Sequence, residues 1–486
     1  MLAAMAPPIL RAPEPPTEEL LAAFHAVRLQ QHVPDAFPAE VEAAAAEAAK
    51  RAVGADRRDR RDVAFVTIDP PGSLDLDQAV AISRRDAGGW HVQYAIADVA
   101  AFVDAGDPVD TEARARGVTL YSPDLRTPLH PTVLCEQAAS LLPGGDRPAL
   151  VWSIDLDGSG AQVGDAVVQR AVVRSRAQLD YPGVQAKLDA GTADEAMVLL
   201  REVGLARLDQ ERARGGASLD LAEQEVVHED GHYRLAYRRP LPVEGWNAQV
   251  SLLTGIAAAG LMVAGGVGLL RTLPPPDLRT VDAIRRSAIA LGLPVTPASA
   301  YPEIVRAADP TTDRGAALLH QAARALRGAG YVVLGSSTSA AAEEHAAIAS
   351  TYAHVTAPLR RLADRFANEV VLALCAGTPV PAWATDALPS LPKIMGAAHE
   401  RDGTLARAMV DAVEALVLRD RVGEQFAAAV TNVDDRGGVV QLRDPAVLAR
   451  VDGVTEADLG REVMVRLERV DVAARKVIFS LVTSAR

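Results

Sequence analysis

The hydrophobic and polar positions along the chain predict a change of secondary structure after the first sixty residues. Residues 17–31 and 39–53 are predicted helices, and the second is rich in alanine with Pro38 near its start, a favoured early position. A charged connector at residues 56–62 leads into a β-branched and aromatic run at residues 63–68, which is typical of a strand. We therefore expect a helical N-terminal region before the first sheet.

The middle of the chain combines strands with helices. Strands are predicted at residues 79–83 and 90–96, and a hairpin at residues 149–173 around a glycine-containing turn. From about residue 194 helical patterns dominate, with a break at the proline run 274–276. The mixture predicts an α+β central domain.

The C-terminal residues again predict strands with turns between them. The expected strands are 425–433, 438–442, 449–451, 462–469 and 476–481. Five short strands in a terminal module favour an OB-type barrel, a fold that often binds single strands of nucleic acid. The predicted organisation is a helical region at residues 1–62, a mixed domain at 63–421 and a barrel at 422–486.

Composition excludes some classes of protein. With 49% hydrophobic and 23% charged residues, the chain is expected to be globular rather than disordered. A net charge of −13 argues against a basic coat for nucleic acid but leaves room for a local basic channel. Cys135 and Cys375 are far apart and suggest neither a zinc site nor a disulfide framework. The proline-rich first residues lack a signal-peptide pattern, so a cytoplasmic location is expected.

Residues 245–270 carry no charged side chain, and this stretch is long enough to cross a membrane. It nevertheless contains six glycines and several polar residues, and charged segments surround it. We expect a buried core helix rather than a membrane span.

Carboxylates are concentrated where the first strand ends. Asp69 is followed by a Pro-Pro-Gly turn, and Asp75 and Asp77 occupy alternate positions that face the same side of an extended segment. Clustered carboxylates repel one another unless a cation neutralises them, and their oxygens favour Mg²⁺ or Mn²⁺. Such a site suits phosphodiester hydrolysis. The alternative from spacing alone is ordinary turn chemistry on a solvated loop.

Several segments, in order, resemble the RNase II (RNB) family. They are T-I-D at 67–69 with D-L-D-Q at 75–78, A-I-A-D-V at 95–99, E-A-R-A-R-G-V-T-L-Y at 112–121, P-L-H-P at 128–131 and Y-A-H-V-T-A-P-L-R-R at 352–361. The resemblance extends from about residue 38 through the terminal barrel, which is similar to an S1 domain. The cold-shock domains that family members commonly carry before the catalytic domain are not expected in the 62 residues that precede Val63.

The resemblance implies roles for particular side chains. Magnesium, or alternatively manganese, would be held by Asp69, Asp75, Asp77 and Gln78, and Asp75 and Asp77 would act in catalysis. Gln78 stands where the family has a fourth aspartate, and an amide oxygen brings no negative charge. Our alignment places Ala248 and Gln249 where the family has a pair of glutamates.

The resemblance also implies contacts with the substrate. Arg360 would clamp the scissile phosphate, and Thr356 and Pro358 are expected to mark a helix start with Arg360 one turn inside. Tyr121 would stack on a base, and His354, Thr356 and Arg361 would bind substrate. Without the motif, Arg360 would be expected to form an exposed helical pair with Asp364.

Together with the carboxylate cluster, the resemblance implies a Mg²⁺-dependent exoribonuclease. It would hydrolyse single-stranded RNA from the 3′ end and release nucleoside 5′-monophosphates. We expect a monomer with no stable protein partner and no membrane contact. The alternative is a catalytically weakened RNA-binding protein on the same scaffold, because Gln78 and the missing glutamates make the site less acidic.

Overall fold

The computed structural model describes residues 17–484 apart from 53, 55, 220, 230, 231, 336–342, 435, 436 and 443. The expectation for the first sixteen residues lies outside this part of the chain. In the described residues the α-helices are, in order, α1 Thr17–Gln30, α2 Ala39–Ala48, α3 Pro108–Arg116, α4 Tyr181–Asp189, α5 Glu195–Ala213, α6 Pro242–Gly265, α7 Leu278–Ala290, α8 Tyr301–Arg306, α9 Asp313–Ala325, α10 Leu362–Ala376, α11 Ala382–Thr385 and α12 Leu391–Leu418.

Within the described part of the chain, the strands form one large sheet, a barrel and three two-stranded ribbons. In chain order the strands are β1 Arg58–Arg60, β2 Val66–Asp69, β3 Gln78–Arg84, β4 Trp90–Ala97, β5 Leu120–Tyr121, β6 Arg126–Thr127, β7 Arg147–Leu156, β8 Gln162–Val173, β9 Ala177–Asp180, β10 Glu223–Glu229, β11 His232–Arg238, β12 Gly268–Thr272, β13 Gly330–Leu334, β14 Gln425–Asp434, β15 Gly437–Leu442, β16 Leu448–Asp452, β17 Glu462–Asp471 and β18 Lys476–Ser484.

The large sheet has the order β1-β8-β7-β4-β3-β2-β9. Strands β3, β4, β7 and β8 are antiparallel neighbours, whereas β1 pairs with β8, and β9 with β2, in parallel. Alternate residues of β4 point to opposite faces, so Tyr94 and Ile96 belong to one core and Ala95 and Ala97 to another. The first core contains α6 and α10, and the second contains α2. A sheet covered on both faces explains why the second half of β4, residues 94–97, is apolar and buried on both sides, whereas polar residues alternate with apolar ones in its first half.

The C-terminal strands close into a barrel in the order β14-β15-β16-β18-β17. Its interior consists of the inward-facing apolar residues of these strands, joined by Ala415 and Leu418 from the end of α12. The predicted OB-type barrel is therefore confirmed. The barrel is attached to the rest of the chain through the end of a 28-residue helix.

Two predictions for helices need correction. The uncharged stretch is helical only to Gly265, because Gly266 takes the left-handed conformation that ends α6 and the following residues form β12. The helix predicted at residues 39–53 ends at Ala48, and residue 53 lies outside the described part. The ribbons β10–β11 and β12–β13 were not predicted within the helical region.

Helix α6 is long and apolar enough, by composition, to cross a membrane. Half of its most apolar window is buried inside the fold, against neighbours such as α5 and α10. A core helix passes the same test of length and composition, so the finding is weak support for a span.

Candidate active site

The loop between β2 and β3 carries the predicted carboxylates. Gly72 has φ of 80°, which lets the chain turn after Asp69 at the end of β2. Ser140 holds the return segment, because its Oγ donates to the carbonyl of Leu74 at 2.6 Å and accepts from the N–H of Leu76 at 3.0 Å. Asp77 therefore enters β3 in a fixed position.

Asp77 is the most deeply buried of the three carboxylates, with 3% of its surface exposed. Its Oδ1 accepts from the N–H of Leu359 at 2.7 Å, and its Oδ2 lies 3.1 Å from Nε of Arg360. Burial raises the pKa of Asp77 to about 7, although Arg360 and the Leu359 N–H oppose the rise. Oδ2 is buried and accepts no hydrogen bond with good geometry among the described residues, so it can still bind a cation.

Asp69 and Asp75 lie within electrostatic range of one another. Burial raises the pKa of Asp69 to about 6, and Asp75 adds to the rise while Arg360 lowers it. Asp75 forms an ion pair with Arg126, which also pairs with Glu136. Arg126 was not predicted, and an arginine in a short strand gives no sequence signal for such a role.

The fit of this site to a divalent cation can be judged from its oxygens. Asp69 and Asp77 are shielded carboxylates whose pKa values are raised mainly by burial, and carboxylate oxygens are suited to Mg²⁺ or Mn²⁺. Asp75 already has a cationic partner in Arg126. Within the described chain, no three side chains of His, Cys, Asp or Glu are arranged to hold a metal ion. The donor chemistry therefore fits a cation, while the arrangement lacks a preformed cage.

Gln78 follows Asp77 as the first residue of β3, and both ends of its side-chain amide have partners. Its Oε1 accepts from the hydroxyl of Tyr94, and its Nε2 donates to the carbonyl of Thr356 at 2.7 Å. Tyr94 was not predicted as a site residue. Pairing residues 78–84 with 90–96 in antiparallel register would have placed it diagonally across from Gln78.

The second part of the site is the segment 352–361, which runs alongside the carboxylate loop. Thr356 is buried, and its hydroxyl lies 2.8 Å from that of Ser251 on α6. Nδ1 of His354 lies 2.7 Å from the hydroxyl of Tyr331. Burial, first of all, lowers the pKa of His354 well below its usual value, so this ring is neutral at pH 7. His354 thus makes a structural hydrogen bond.

Arg360 and Arg361 have different surroundings. The helix expected to begin near Thr356 begins at Leu362, so Arg360 precedes α10 instead of lying one turn inside it. The residue before the helix is extended, which turns successive side chains in opposite directions. Asp364 pairs with Arg361, not with Arg360, and this pairing raises the pKa of Arg361 against the lowering effect of burial. Arg360 is left to contact Asp77, with about half of its side chain exposed.

A cavity of about 360 Å³ opens beside Arg360. Tyr121 lies on its wall with 49% of its surface exposed, an unusual exposure for a large ring. His354 and Arg271 also line it, and the Arg271 guanidinium stacks 4.9 Å from the centre of the Tyr331 ring. The structure therefore brings Tyr121, His354, Arg360 and Arg361 to one cavity.

Gln249, one of the two α6 residues aligned with the family's glutamate pair, contacts α5. Gln249 is buried and donates to Glu211 at 2.7 Å, on the side of α5. Asn247 instead donates to the hydroxyl of Tyr181 at 3.2 Å, and Ser251 reaches Thr356, as residues four apart on a helix do. Asn247 and Ser251 of α6 therefore lie next to the site.

Comparison with known proteins identifies the family in which these features occur. The RNB domain matches residues 57–376, and the C-terminal S1 domain of RNase II-type exonucleases matches residues 424–482. The chain belongs to the RNB-domain family. The RNB match contains the carboxylate loop, Tyr121 and the segment 352–361, while the S1 match coincides with the closed barrel.

Individual relatives of this RNB protein agree with the assignment. Ribonuclease R of Escherichia coli is 27% identical over 513 residues, which cover 95% of this chain but 62% of that protein. The chain therefore spans less than two thirds of that relative. Among solved structures, Mycoplasma genitalium RNase R in complex with ribose-methylated single-stranded RNA has a TM-score of 0.84 at 18% identity, covering 96% of this chain and 78% of the other.

A further structural neighbour bears on catalysis in this RNB fold. Yeast Ssd1, described as a pseudonuclease, has a TM-score of 0.69 at 16% identity, covering 85% of this chain and 53% of its own. At such identity the likeness concerns the fold alone. The RNB fold by itself does not decide whether a chain cleaves RNA.

Proposed function

We propose that this RNB protein is a hydrolytic exoribonuclease that removes nucleoside 5′-monophosphates from the 3′ end of single-stranded RNA. The observation that carries the proposal is the contact of Arg360 with Asp77, within electrostatic range of Asp69 and next to a cavity that Tyr121 lines. The contact unites a carboxylate group with a phosphate-binding side chain at the edge of a nucleotide-sized space.

Asp69, Asp75 and Asp77 are the residues that would hold Mg²⁺ or Mn²⁺ in this proposal. The bound cation supplies activation of water and neutralisation of the charge on the phosphate. The proximity of these three carboxylates supports the assignment: Asp75 raises the pKa of both Asp69 and Asp77 through its charge, in addition to the larger effect of burial. Asp75 would have to exchange or share its partner Arg126.

Arg360 is assigned to the scissile phosphate. Its Nε faces Asp77, so the two terminal nitrogens remain available to a phosphate as a planar pair of donors. Half of the side chain is exposed, which leaves the guanidinium accessible to a ligand. Donors fixed before the substrate arrives stabilise charge that develops in the transition state.

Tyr121 is assigned to a base near the 3′ end. An exposed ring on a cavity wall offers a stacking surface that accepts any base, since every base has an aromatic face. His354, Thr356 and Arg361 would then contribute to substrate binding by holding the segment 352–361 in its conformation. We also propose that the protein acts in the cytoplasm as a monomer and that its substrate is single-stranded RNA.

A second candidate is an RNA-binding protein with weakened catalysis. It is favoured by Gln78, which brings no charge, and by the ion pair that occupies Asp75. The two candidates differ in whether RNA is shortened or only bound.

The deciding experiment uses 5′-labelled single-stranded oligo-A, the full chain and Mg²⁺. A ladder that shortens from the 3′ end, absent with EDTA and with Asp77→Asn, would support the exoribonuclease. RNA that stays intact but shifts on a native gel would support the binding protein. Equal degradation of duplex RNA or of DNA would contradict the assigned preference for single-stranded RNA.

A further inference from the structure

The hydrogen-bonding neighbours of Gln78 restrict which side chains can stand at this position. One neighbour, the hydroxyl of the buried Tyr94, points a donor at it, and the other, the carbonyl of Thr356, can only accept. The group at position 78 must therefore donate to Thr356, and in the observed arrangement it also accepts from Tyr94. A side-chain amide does this at every pH, whereas a carboxylate has no proton to donate.

The orientation of the amide follows from the same neighbours. If the amide of Gln78 were turned over, its oxygen would face the Thr356 carbonyl, and two acceptors would oppose each other without a proton. Tyr94 could adapt by rotating its hydroxyl, but the carbonyl of Thr356 cannot. The carbonyl thus fixes Nε2 toward the segment 352–361 and Oε1 toward Tyr94.

This amide is one of two adjacent links between β3 and the segment that carries Arg360. The preceding residue, Asp77, accepts from the N–H of Leu359 at 2.7 Å, and Gln78 binds Thr356. Thr356 is tied in turn to Ser251 of α6 at 2.8 Å. The chain Tyr94–Gln78–Thr356–Ser251 therefore connects the sheet, the arginine segment and α6.

We propose that Gln78 is a positioning residue that fixes residues 356–360 over Asp77, and that its side chain does not ligate the catalytic cation. The inference rests on the proposed function for its catalytic consequence, but its structural content can be tested without RNA. The cation would be held by carboxylates alone. An aspartate or glutamate at position 78 would break the link to Thr356.

The test compares Gln78→Glu and Tyr94→Phe with the natural chain. Gln78→Glu keeps the size of the side chain but removes the donor, and Tyr94→Phe removes the hydroxyl while leaving Gln78 in place. Gln162→Glu is the matched control, because Nε2 of Gln162 also donates to a carbonyl, that of Gly164 at 2.9 Å, on the exposed surface.

Two measurements need no catalysis. Hydrogen exchange followed by mass spectrometry should be faster in residues 352–361 of Gln78→Glu and Tyr94→Phe than in the natural chain, and unchanged in Gln162→Glu. Calorimetric titration with Mn²⁺ should give the same stoichiometry and an affinity within about threefold, a small energetic change, for Gln78→Glu and the natural chain. A gain of tenfold or more in Mn²⁺ affinity, or an additional bound ion, would instead identify position 78 as a ligand position and overturn the proposal.

Kinetics on oligo-A then separate positioning from binding. Both variants should lower kcat by about tenfold to a hundredfold with little change in KM, as expected when a phosphate clamp is displaced. Because both act on one hydrogen-bonded chain, the double variant should lose less than the product of the two single losses. If the natural chain shows no activity, the proposed function fails, while exchange and Mn²⁺ binding still decide the role of Gln78. Unchanged exchange in residues 352–361 would overturn the role itself.

Discussion

Nε of Arg360 lies 3.1 Å from Oδ2 of Asp77, and the N–H of Leu359 binds the other oxygen of the same carboxylate. Residues 359 and 360, which are far from Asp77 in the sequence, thus both contact its carboxylate. Asp77 holds the arginine in place, and the arginine limits the rise in the pKa of Asp77. The arrangement makes each group dependent on the other.

Replacing Arg360 should therefore affect catalysis far more than stability. Arg360→Ala is expected to lower kcat/KM on oligo-A by about 10²- to 10³-fold, because a fixed donor to the phosphate is lost. The control is Arg174→Ala, which removes a half-exposed partner of Asp146 in the same domain and should leave the rate unchanged. Equal losses in the two variants, or a full rate for Arg360→Ala, would contradict the assignment.

Tyr121 should contribute to affinity for single strands. Tyr121→Ala is expected to weaken binding of oligo-A by about 5- to 150-fold, the range that corresponds to about 1–3 kcal/mol of stacking. Tyr121→Phe keeps the ring and should bind nearly as well. Fluorescence anisotropy with the Asp77→Asn background prevents cleavage during the titration. A large loss in Tyr121→Phe would point to the hydroxyl rather than to stacking.

Sequence patterns were sufficient for the barrel and the central strands, because alternation in β4 and in β14–β18 directly reflects which faces are buried. They failed at the ends of helices, as at Gly266, and for Arg360, which contacts Asp77 and lies before the start of α10. Side-chain partners such as Arg126 and Tyr94 come from parts of the chain without a motif. Their roles depend on distances that only folding creates.

The buried ion pair behind the site should matter for folding. Nη1 of Arg365 binds Asp110 at 2.6 Å and Nη2 binds the carbonyl of Val103 at 2.8 Å, with 1% of the arginine side chain exposed. Arg365→Ala is expected to lower the free energy of unfolding by about 3–5 kcal/mol, because Asp110 stays buried with less compensation.

Urea unfolding followed by circular dichroism measures this difference. The comparison is Arg51→Ala, which breaks an exposed pair with Asp104 and should cost less than about 1 kcal/mol. Similar costs for the two variants would show that burial does not set the strength of the inner pair.

Glu414 lies where α12 meets the barrel, and we expect its ionisation to make the stability of the protein depend on pH. Its Oε1 accepts from Gln224 at 2.6 Å and from the N–H of Leu448 at 2.9 Å, and burial raises its pKa to about 7 from 4.5. The folded state therefore holds the proton more tightly than the unfolded state. The contribution of Glu414 is fully present below about pH 4.5 and is lost as the pH rises through 7.

Glu414→Gln keeps an accepting oxygen and removes the charge at every pH. Between pH 5 and 8.5 the natural chain should lose on the order of 3 kcal/mol of unfolding free energy relative to this variant. Glu400→Gln, an exposed change on the same helix, should follow the natural chain. Groups common to all three proteins cancel in the difference between their urea curves. Parallel pH profiles for Glu414→Gln and the natural chain would mean that Glu414 is already ionised, and that the contact with Leu448 and Gln224 compensates for its burial.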